Sequence, residues 1–304
     1  MPHDHHAHPH LSAEAGDRRI GLAILVNLGL TVAQIVGGAL SGSLALVADA
    51  VHNLSDAVSL IIAFGARRIA RRPADAGMTF GYARAETVAA LVNYTTLILI
   101  GAWLIYEAIL RFLEPQPILG WVVVILAAVA LAVDVATAAL TYRMAKTSMN
   151  IRAAFLHNLA DALGSVGVIV AGTLVILYDW WVVDPIVTLM IAGYILWHAF
   201  AEVGGVIRVL MLGAPPGVSS EAVLQAMRQE DGVADVHHLH LWQMDEAHPA
   251  VEAHVVLAEG RWSDADAIKA ALRARLKALG IAHSTLELEC HRHACNGARA
   301  IGHG

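Results

Sequence analysis

Charge is scarce in this chain. Asp, Glu, Lys and Arg make up 15% of its 304 residues, where a soluble globular domain carries about 25%. Hydrophobic residues reach 57%, against an ordinary level of about 45–50%. Together these figures exclude a soluble enzyme and a largely disordered chain. Cysteine is nearly absent. Cys290 and Cys295 stand close together near the C-terminus, so no disulfide framework supports the fold. Basic residues do not dominate either, with 20 Lys and Arg against 26 Asp and Glu. Phosphate binding needs clustered cations, so nucleic acid is excluded as a partner. No Gly-x-x-x-x-Gly-Lys-Ser/Thr loop and no His-Glu-x-x-His pair occurs. ATP-driven pumping has no phosphate cradle here, and intramembrane proteolysis has no zinc helix.

Long apolar runs are abundant. Six stretches, near Ile20–Leu40, Leu44–Ala66, Thr87–Leu110, Leu119–Leu140, Phe155–Leu177 and Val182–Val203, hold no Lys or Arg before their ends. Each reaches the roughly 20 residues that cross a bilayer. The residues ahead of the first run are polar and His-rich, without the apolar centre of a signal peptide. The first run therefore reads as an uncleaved membrane helix. Arg67, Arg68, Arg71, Arg72 and Arg84 follow the second run, and Arg143, Lys146 and Arg152 follow the fourth. The alternate connections at 41–43, 113–117 and 178–181 have no Lys or Arg. This asymmetry predicts that both termini face the cytoplasm. Trp180 and Trp181 read as anchors at the outer interface.

After Ala-Pro-Pro-Gly at 214–217 the sequence becomes ordinary soluble sequence. Ser219–Gln229 reads as an amphipathic helix. Asp235–Met244 and Ala250–Leu257 alternate as strands do. Ser263–Leu279 reads as a second helix opened by a capping box from Ser263 to Asp266, and His283–Glu289 as a last strand. The order αββαβ predicts a small α+β domain, one sheet with helices on one side.

Ionisable groups inside the spans carry the functional argument, because each costs several kcal/mol there. His-Asn-Leu-Ser-Asp-Ala at 52–57 in the second span returns as His-Asn-Leu-Ala-Asp-Ala at 157–162 in the fifth. Each copy sets His and Asp one helical turn apart on one face. Two such faces turned together offer His52, Asp56, His157 and Asp161, a nitrogen and oxygen set suited to a tetrahedral divalent ion, Zn²⁺ first. Asn27, Gln34 and Asn93 read as interhelical hydrogen bonds, Asp49 and Asp134 as the lining of a hydrated cavity, and His198 as structural. Metal needs neutral imidazole and ionised carboxylate, so binding expels protons and protonation expels metal.

These residues carry a resemblance. Ser-Leu-Ala-Leu-Val-Ala-Asp-Ala-Val-His-Asn-Leu-Ser-Asp at 43–56 resembles the second helix of the cation diffusion facilitator family. Thr-Phe-Gly-Tyr-Ala-Arg-Ala-Glu at 79–86 resembles its entry to the third helix, and Asp184-Pro185 the start of its sixth. Val-His-His-Leu-His-Leu-Trp at 236–242 resembles the first strand of its cytoplasmic domain. The match runs in order over about residues 19–290. The resemblance implies a homodimeric metal/proton antiporter with six transmembrane helices and a ferredoxin-like cytoplasmic domain. His52, Asp56, His157 and Asp161 are similar to the transport site of its zinc branch.

The chain departs from the family pattern in places. The stretch from Asp75 to Tyr82 has no His, which argues against a metal site there. The segment from Leu210 to Pro215 lacks an acid, leaving Arg84 without the partner that the family's charge interlock supplies.

The expected organisation is a His-rich flexible cytoplasmic tail at 1–18, a six-helix transmembrane domain at 19–210, a ferredoxin-like metal-binding domain at 211–290, and a Cys/His-containing tail at 291–304. In the cytoplasmic domain, His237, His254, His283 and Glu289 are the candidate ligands for a structural or regulatory Zn²⁺. Strand alternation groups His238 with His240 and leaves His237 on the other face, whereas the family pattern favours His237. Cys290, His291, His293 and Cys295 form a compact soft cluster, a second metal site or a free tail. His3, His5, His6, His8 and His10 read as a loose metal collector. The expected function is efflux of Zn²⁺, or of Cd²⁺ or Co²⁺, in exchange for protons, by a lipid-embedded secondary transporter with no organic cofactor and no enzyme activity. Scarce Lys beside abundant Arg and Ala points to a bacterial inner membrane. A membrane-anchored metal sensor without transport is the alternative.

Overall fold

The computed structural model describes residues 28–145, 149–295 and 297–302. Within them, the side chains of 140, 141, 143–145, 149–154 and 157 lie outside the description. The expected N-terminal histidines, Asn27 and Lys146 also lie outside the described residues.

Among the described residues, six helices precede the soluble sequence: α1 (Leu28–Ser41), α2 (Leu44–Ala70), α3 (Ala85–Leu113), α4 (Gly120–Ala145), α5 (Met149–Tyr178) and α6 (Val183–Leu210). Five of them, α2 to α6, are long and apolar enough to cross a bilayer, while the described part of α1 is shorter. Helices are the form such sequences take in lipid, where every backbone group must be satisfied within its own segment. Several helices outrun the apolar stretches that predicted them. α2 continues through Arg67 and Arg68, and α6 through Arg208, because a hydrogen-bonded helix does not stop where its apolar face does. Large apolar side chains such as Leu60, Phe64, Trp103, Trp121, Leu163 and Trp197 stay exposed, as lipid-facing residues do.

The described residues divide into two compact units. One holds residues up to Ile61 together with Thr95–Phe200; the other holds Ile62–Tyr94 together with the chain from Ala201 onward.

In the first unit the start of α2 is the packing centre. Leu44 and Ala48 are buried with Leu104, Ala108 and Ala192, while Ala45 and Leu46 are buried with Val123, Ala127 and Val168. The small residues let the neighbouring helices close around α2. The α1–α2 turn needs Gly42 at φ +75°, a conformation that costs glycine nothing. α4 and α5 meet at bare backbone. A Cβ on Gly172 would stand 2.9 Å from Val124 and 3.2 Å from the carbonyl of Gly120.

In the second unit the soluble sequence forms α7 (Ser220–Arg228), β1 (Val233–Gln243), β2 (Pro249–Leu257), α8 (Ala265–Ala278) and β3 (His283–Cys290). β2 is central, antiparallel to β1 and parallel to β3. Val223, Leu224 and Met227 of α7 and Ile268, Leu272 and Leu276 of α8 pack with Val236, Leu239, Leu241, Val251, Val255 and Leu286. Both helices thus cover one face of the sheet. Each fully buried Leu or Val contributes about 1.5–3 kcal/mol. The other face carries His237, His240, Glu252, His254, Glu287 and Glu289.

Ser219 caps α7 as its position suggests, accepting from the N–H of Ala222. The capping box expected at Ser263 does not form. Trp262–Asp264 is a short 3₁₀ turn, α8 begins at Ala265, and the Ser263 hydroxyl turns to Asp264 instead. The tighter turn moves the helix start past the residue whose side chain was to cap it.

Candidate metal centre

α2 carries His52 and Asp56 one turn apart, and its register is fixed at its first turn. The carboxylate of Asp184, 1% exposed at the start of α6, accepts from the hydroxyl of Ser43 and from the N–H of Leu44 at 2.8 Å and of Ala45 at 3.3 Å. Ser43 caps α2 by accepting from the N–H of Leu46 at 3.1 Å, and an acid from another helix satisfies the two free N–H groups of Leu44 and Ala45. Arg111 of α3 holds the carbonyl of Gly42 in the same turn. One turn before His52, Asp49 is buried and accepts from Gln34 Nε2 of α1 at 2.9 Å, the interhelical hydrogen bond expected of Gln34. Asp134 of α4 accepts from Ser165 of α5 at 3.4 Å.

From this anchored helix His52 Nε2 reaches 3.9 Å from Asp56 Oδ2 and 3.4 Å from Asp161 Oδ1 on α5. Donor atoms of His52, Asp56 and Asp161 lie within 4.8 Å of one another. Asp161 is buried, and the ring of Tyr194 stands edge-on to His52 with centroids 6.2 Å apart. His157 occupies the α5 position one turn before Asp161; its side chain lies outside the described residues. Tyr194 had no signal in the sequence beyond its place in an apolar run. His198 packs its ring against Tyr194 at 6.4 Å.

A second cluster lies on the polar face of the sheet. His254 Nδ1 is 2.6 Å from Glu289 Oε1, and His237 Nε2 is 3.4 Å from Glu289 Oε2. Glu287 reaches His254 Nε2 at 3.4 Å. Burial pushes the Glu289 carboxyl up. The hydrogen bonds from His254 and the N–H of Cys295, with the charges of His237 and His254, outweigh it and hold the group below the usual range.

A β-bulge settles which β1 histidine faces this cluster. His237 pairs with His254 and His240 with Glu252, so β1 gains one residue over β2, and His238 takes φ +51°. The bulge shifts the strand's alternation, turning His237 to the face of His254 while Leu239 stays in the core. His283 is not in the cluster. It pairs with Ala250 at the other end of β3, against Phe80 at 6.4 Å. Cys295, which the sequence grouped with Cys290, His291 and His293, joins this cluster instead. Its Sγ lies 3.6 Å from Glu289 Oε1. The compact soft cluster therefore divides, because Cys290 Sγ pairs with His293 Nδ1 at 3.0 Å.

Two further expectations meet the structure in the second unit. Asp75 accepts from the N–H of Gly77 and Met78 and from the Tyr82 hydroxyl. The Tyr82 hydrogen bond, with those from the backbone, holds its carboxyl below the usual range, so this acid shapes its own loop. Arg84 does find partners: it donates to the carbonyls of Met244 at 2.8 Å and Gln243 at 3.1 Å, where an acid was missing.

Residues 20–211 match the family model of the cation efflux transmembrane domain, and residues 215–290 that of the cation efflux protein cytoplasmic domain. The chain belongs to the cation efflux family. Among members of the cation efflux family, it is 39% identical to a protein named zinc transporter ZitB from Pectobacterium atrosepticum, over 94% of this chain and 90% of that one. It is 32% identical to a cadmium, cobalt and zinc/H(+)-K(+) antiporter from Bacillus subtilis, over 96% of this chain and 93% of that protein. It is 33% identical to the metal cation efflux system protein CzcD from Cupriavidus metallidurans, over 83% and 79%. This member of the cation efflux family is an integral membrane protein, with a helical membrane part and a small C-terminal domain built on a three-stranded sheet.

Proposed function

We propose that the protein exports a divalent cation, Zn²⁺ first, from the cytoplasm in exchange for protons. The metal would bind between α2 and α5 on His52, Asp56, His157 and Asp161. The observation that carries the reading is the approach of His52, Asp56 and Asp161 from two helices to within ligand range inside an apolar bundle. A carboxylate buried in the bundle, as Asp161 is, is too costly to keep without a task. Two imidazoles and two carboxylates balance a doubly charged borderline ion in tetrahedral coordination. The metal and a proton compete for the same lone pairs, so the exchange needs no further energy source. Relatives named for zinc transport and for cadmium, cobalt and zinc antiport support the substrate class.

The remaining architecture follows the same reading. α1 would complete a sixth span, both termini would face the cytoplasm of a bacterial cell, and the chain would work as a homodimer. Residues 1–18, 19–210, 211–290 and 291–304 would be tail, transmembrane domain, ferredoxin-like cytoplasmic domain and second tail. His237, His254 and Glu289 would bind a structural or regulatory metal in the cytoplasmic domain.

The test is zinc flux into proteoliposomes under an imposed pH gradient. Zinc should accumulate in the more acidic compartment and reverse with the gradient. Flux indifferent to pH would overturn proton coupling. Absence of any zinc flux would leave a membrane-anchored sensor.

A further inference from the structure

The fourth donor on the cytoplasmic sheet is a thiol carried by the segment that follows β3. Donor atoms of His237, His254, Glu289 and Cys295 all lie within 4.8 Å of one another. Ligands around a tetrahedral zinc stand about 3.3–3.8 Å apart, from bonds of about 2.0–2.3 Å, so a small contraction would bring these atoms into coordination.

The second observation is His237 itself. Its side chain is 4% exposed, and its Nε2 is buried with no hydrogen-bond partner, 3.4 Å from Glu289 Oε2. A buried polar atom left unsatisfied is costly, and a metal would satisfy this one. Backbone pairing explains how the thiol arrives. The bulge in β1 leaves donors that β2 does not take. The N–H of His238 gives to the carbonyl of Arg299 at 2.9 Å and that of Leu239 to Ala300 at 3.1 Å, while Gly302 returns a bond to Leu239 at 3.1 Å. Leu239 and Ile301 form a parallel bridge. Nearer β3, the N–H of Cys295 gives to Glu289 Oε2 at 3.2 Å.

We propose that His237, His254, Glu289 and Cys295 of one chain form a closed site for a zinc-type ion, and that binding fastens Cys295 and residues 299–302 beside the β1 bulge. The proposal rests on the reading that the cytoplasmic domain binds metal, and names its ligands. As the metal–sulfur bond forms, the Sγ–H proton leaves to solvent. The divalent ion, the Glu289 carboxylate and the Cys295 thiolate then sum to zero charge, which lowers the cost of holding the ion beside the buried His237. Four protein ligands leave no open position, so this ion is structural, unlike a transported one.

Cobalt titration of the full chain in detergent tests it. A thiolate ligand gives a near-ultraviolet sulfur-to-cobalt charge-transfer band that nitrogen and oxygen ligands do not give, and Cys290 and Cys295 are the two cysteines of the chain. The wild type and Cys290→Ser should show the band, and Cys295→Ser should lose it. In the unaltered protein, zinc should protect Cys295 from alkylation and slow amide exchange at His238, Leu239 and Gly302. A band that survives Cys295→Ser, or no band at all, overturns the proposal. If the visible cobalt bands of a cytoplasmic-domain ion persist without charge transfer, the domain still binds metal and only the thiol is wrong. If a variant lacking Asp56 and Asp161 binds no cobalt at all, metal binding by the domain falls as well. Unchanged alkylation and exchange on adding zinc would overturn the fastening of the segment.

Discussion

Replacing Asp184 by Ala tests how α2 is held, and hence how His52 and Asp56 are placed. Asp184 is 1% exposed and accepts from Ser43, Leu44 and Ala45. Hydrogen bonds to a charged group contribute about 1.5–3 kcal/mol each, while the cap that Ser43 gives to the N–H of Leu46 is left in place. Relief from burying the carboxylate offsets part of that. The net loss from Asp184→Ala should therefore be about 2–4 kcal/mol. Asp184→Asn keeps one oxygen acceptor but turns an NH₂ toward backbone donors, so it should lose roughly half as much. His52 lies further along the same helix, about 12 Å from Leu44 at about 1.5 Å per residue, so a loosened first turn tilts the ligands away from Asp161. Thermal unfolding of the purified protein in detergent, read by the fraction still monodisperse after heating, gives the stability order wild type, Asn, Ala. Zinc flux should fall in the same order. An Ala variant that melts with the wild type would refute the anchoring argument, whatever its flux.

Three further outcomes follow from named contacts. His157→Asp replaces a borderline nitrogen with a hard oxygen, so competition flux assays should show Cd²⁺ or Mn²⁺ gaining on Zn²⁺. One fewer imidazole should also move the pH dependence of flux downward; an unchanged metal ranking would overturn the account of selectivity. Gly172→Ala puts a methyl 2.9 Å from Val124 and 3.2 Å from the Gly120 carbonyl, and should cost about 1–3 kcal/mol in thermal unfolding by forcing α4 and α5 apart. Deleting residues 2–12 should lower transport by a modest factor at low zinc and leave it unchanged at high zinc, because a tail of histidines only raises local metal concentration; complete loss at high zinc would place the tail in the core mechanism.

What the sequence made legible divides along physical lines. Helical periodicity is rigid, so a His and an Asp four positions apart must share a face, and His52, Asp56 and Asp161 were readable before any coordinates. Apolar runs of sufficient length were readable for the same reason, since lipid leaves the backbone one alternative. Strand periodicity is easily interrupted. The bulge at His238 has no composition signal, and it alone moves His237 onto the polar face. Alternation likewise put His283 with Glu287 and Glu289, since it reports faces and not positions along a strand. Cys295 was invisible as a partner of His254 because backbone bonds to β1, not periodicity, bring it back. The Ser263 capping box failed because a 3₁₀ turn occupies the same residues. Arg84 shows the opposite case, where a missing acid was correctly noticed and backbone carbonyls fill its place.

The central claim is that the paired motifs of α2 and α5 carry the ion. Asp161→Asn tests it most directly, because it keeps the size of the side chain and removes one of two negative charges facing the metal. In a low-dielectric span neighbouring groups cannot restore that charge. Zinc flux should be nearly abolished in proteoliposomes under an imposed pH gradient, with expression and dimerisation normal. Flux of Asp161→Asn equal to that of the wild type would contradict the assignment of the site.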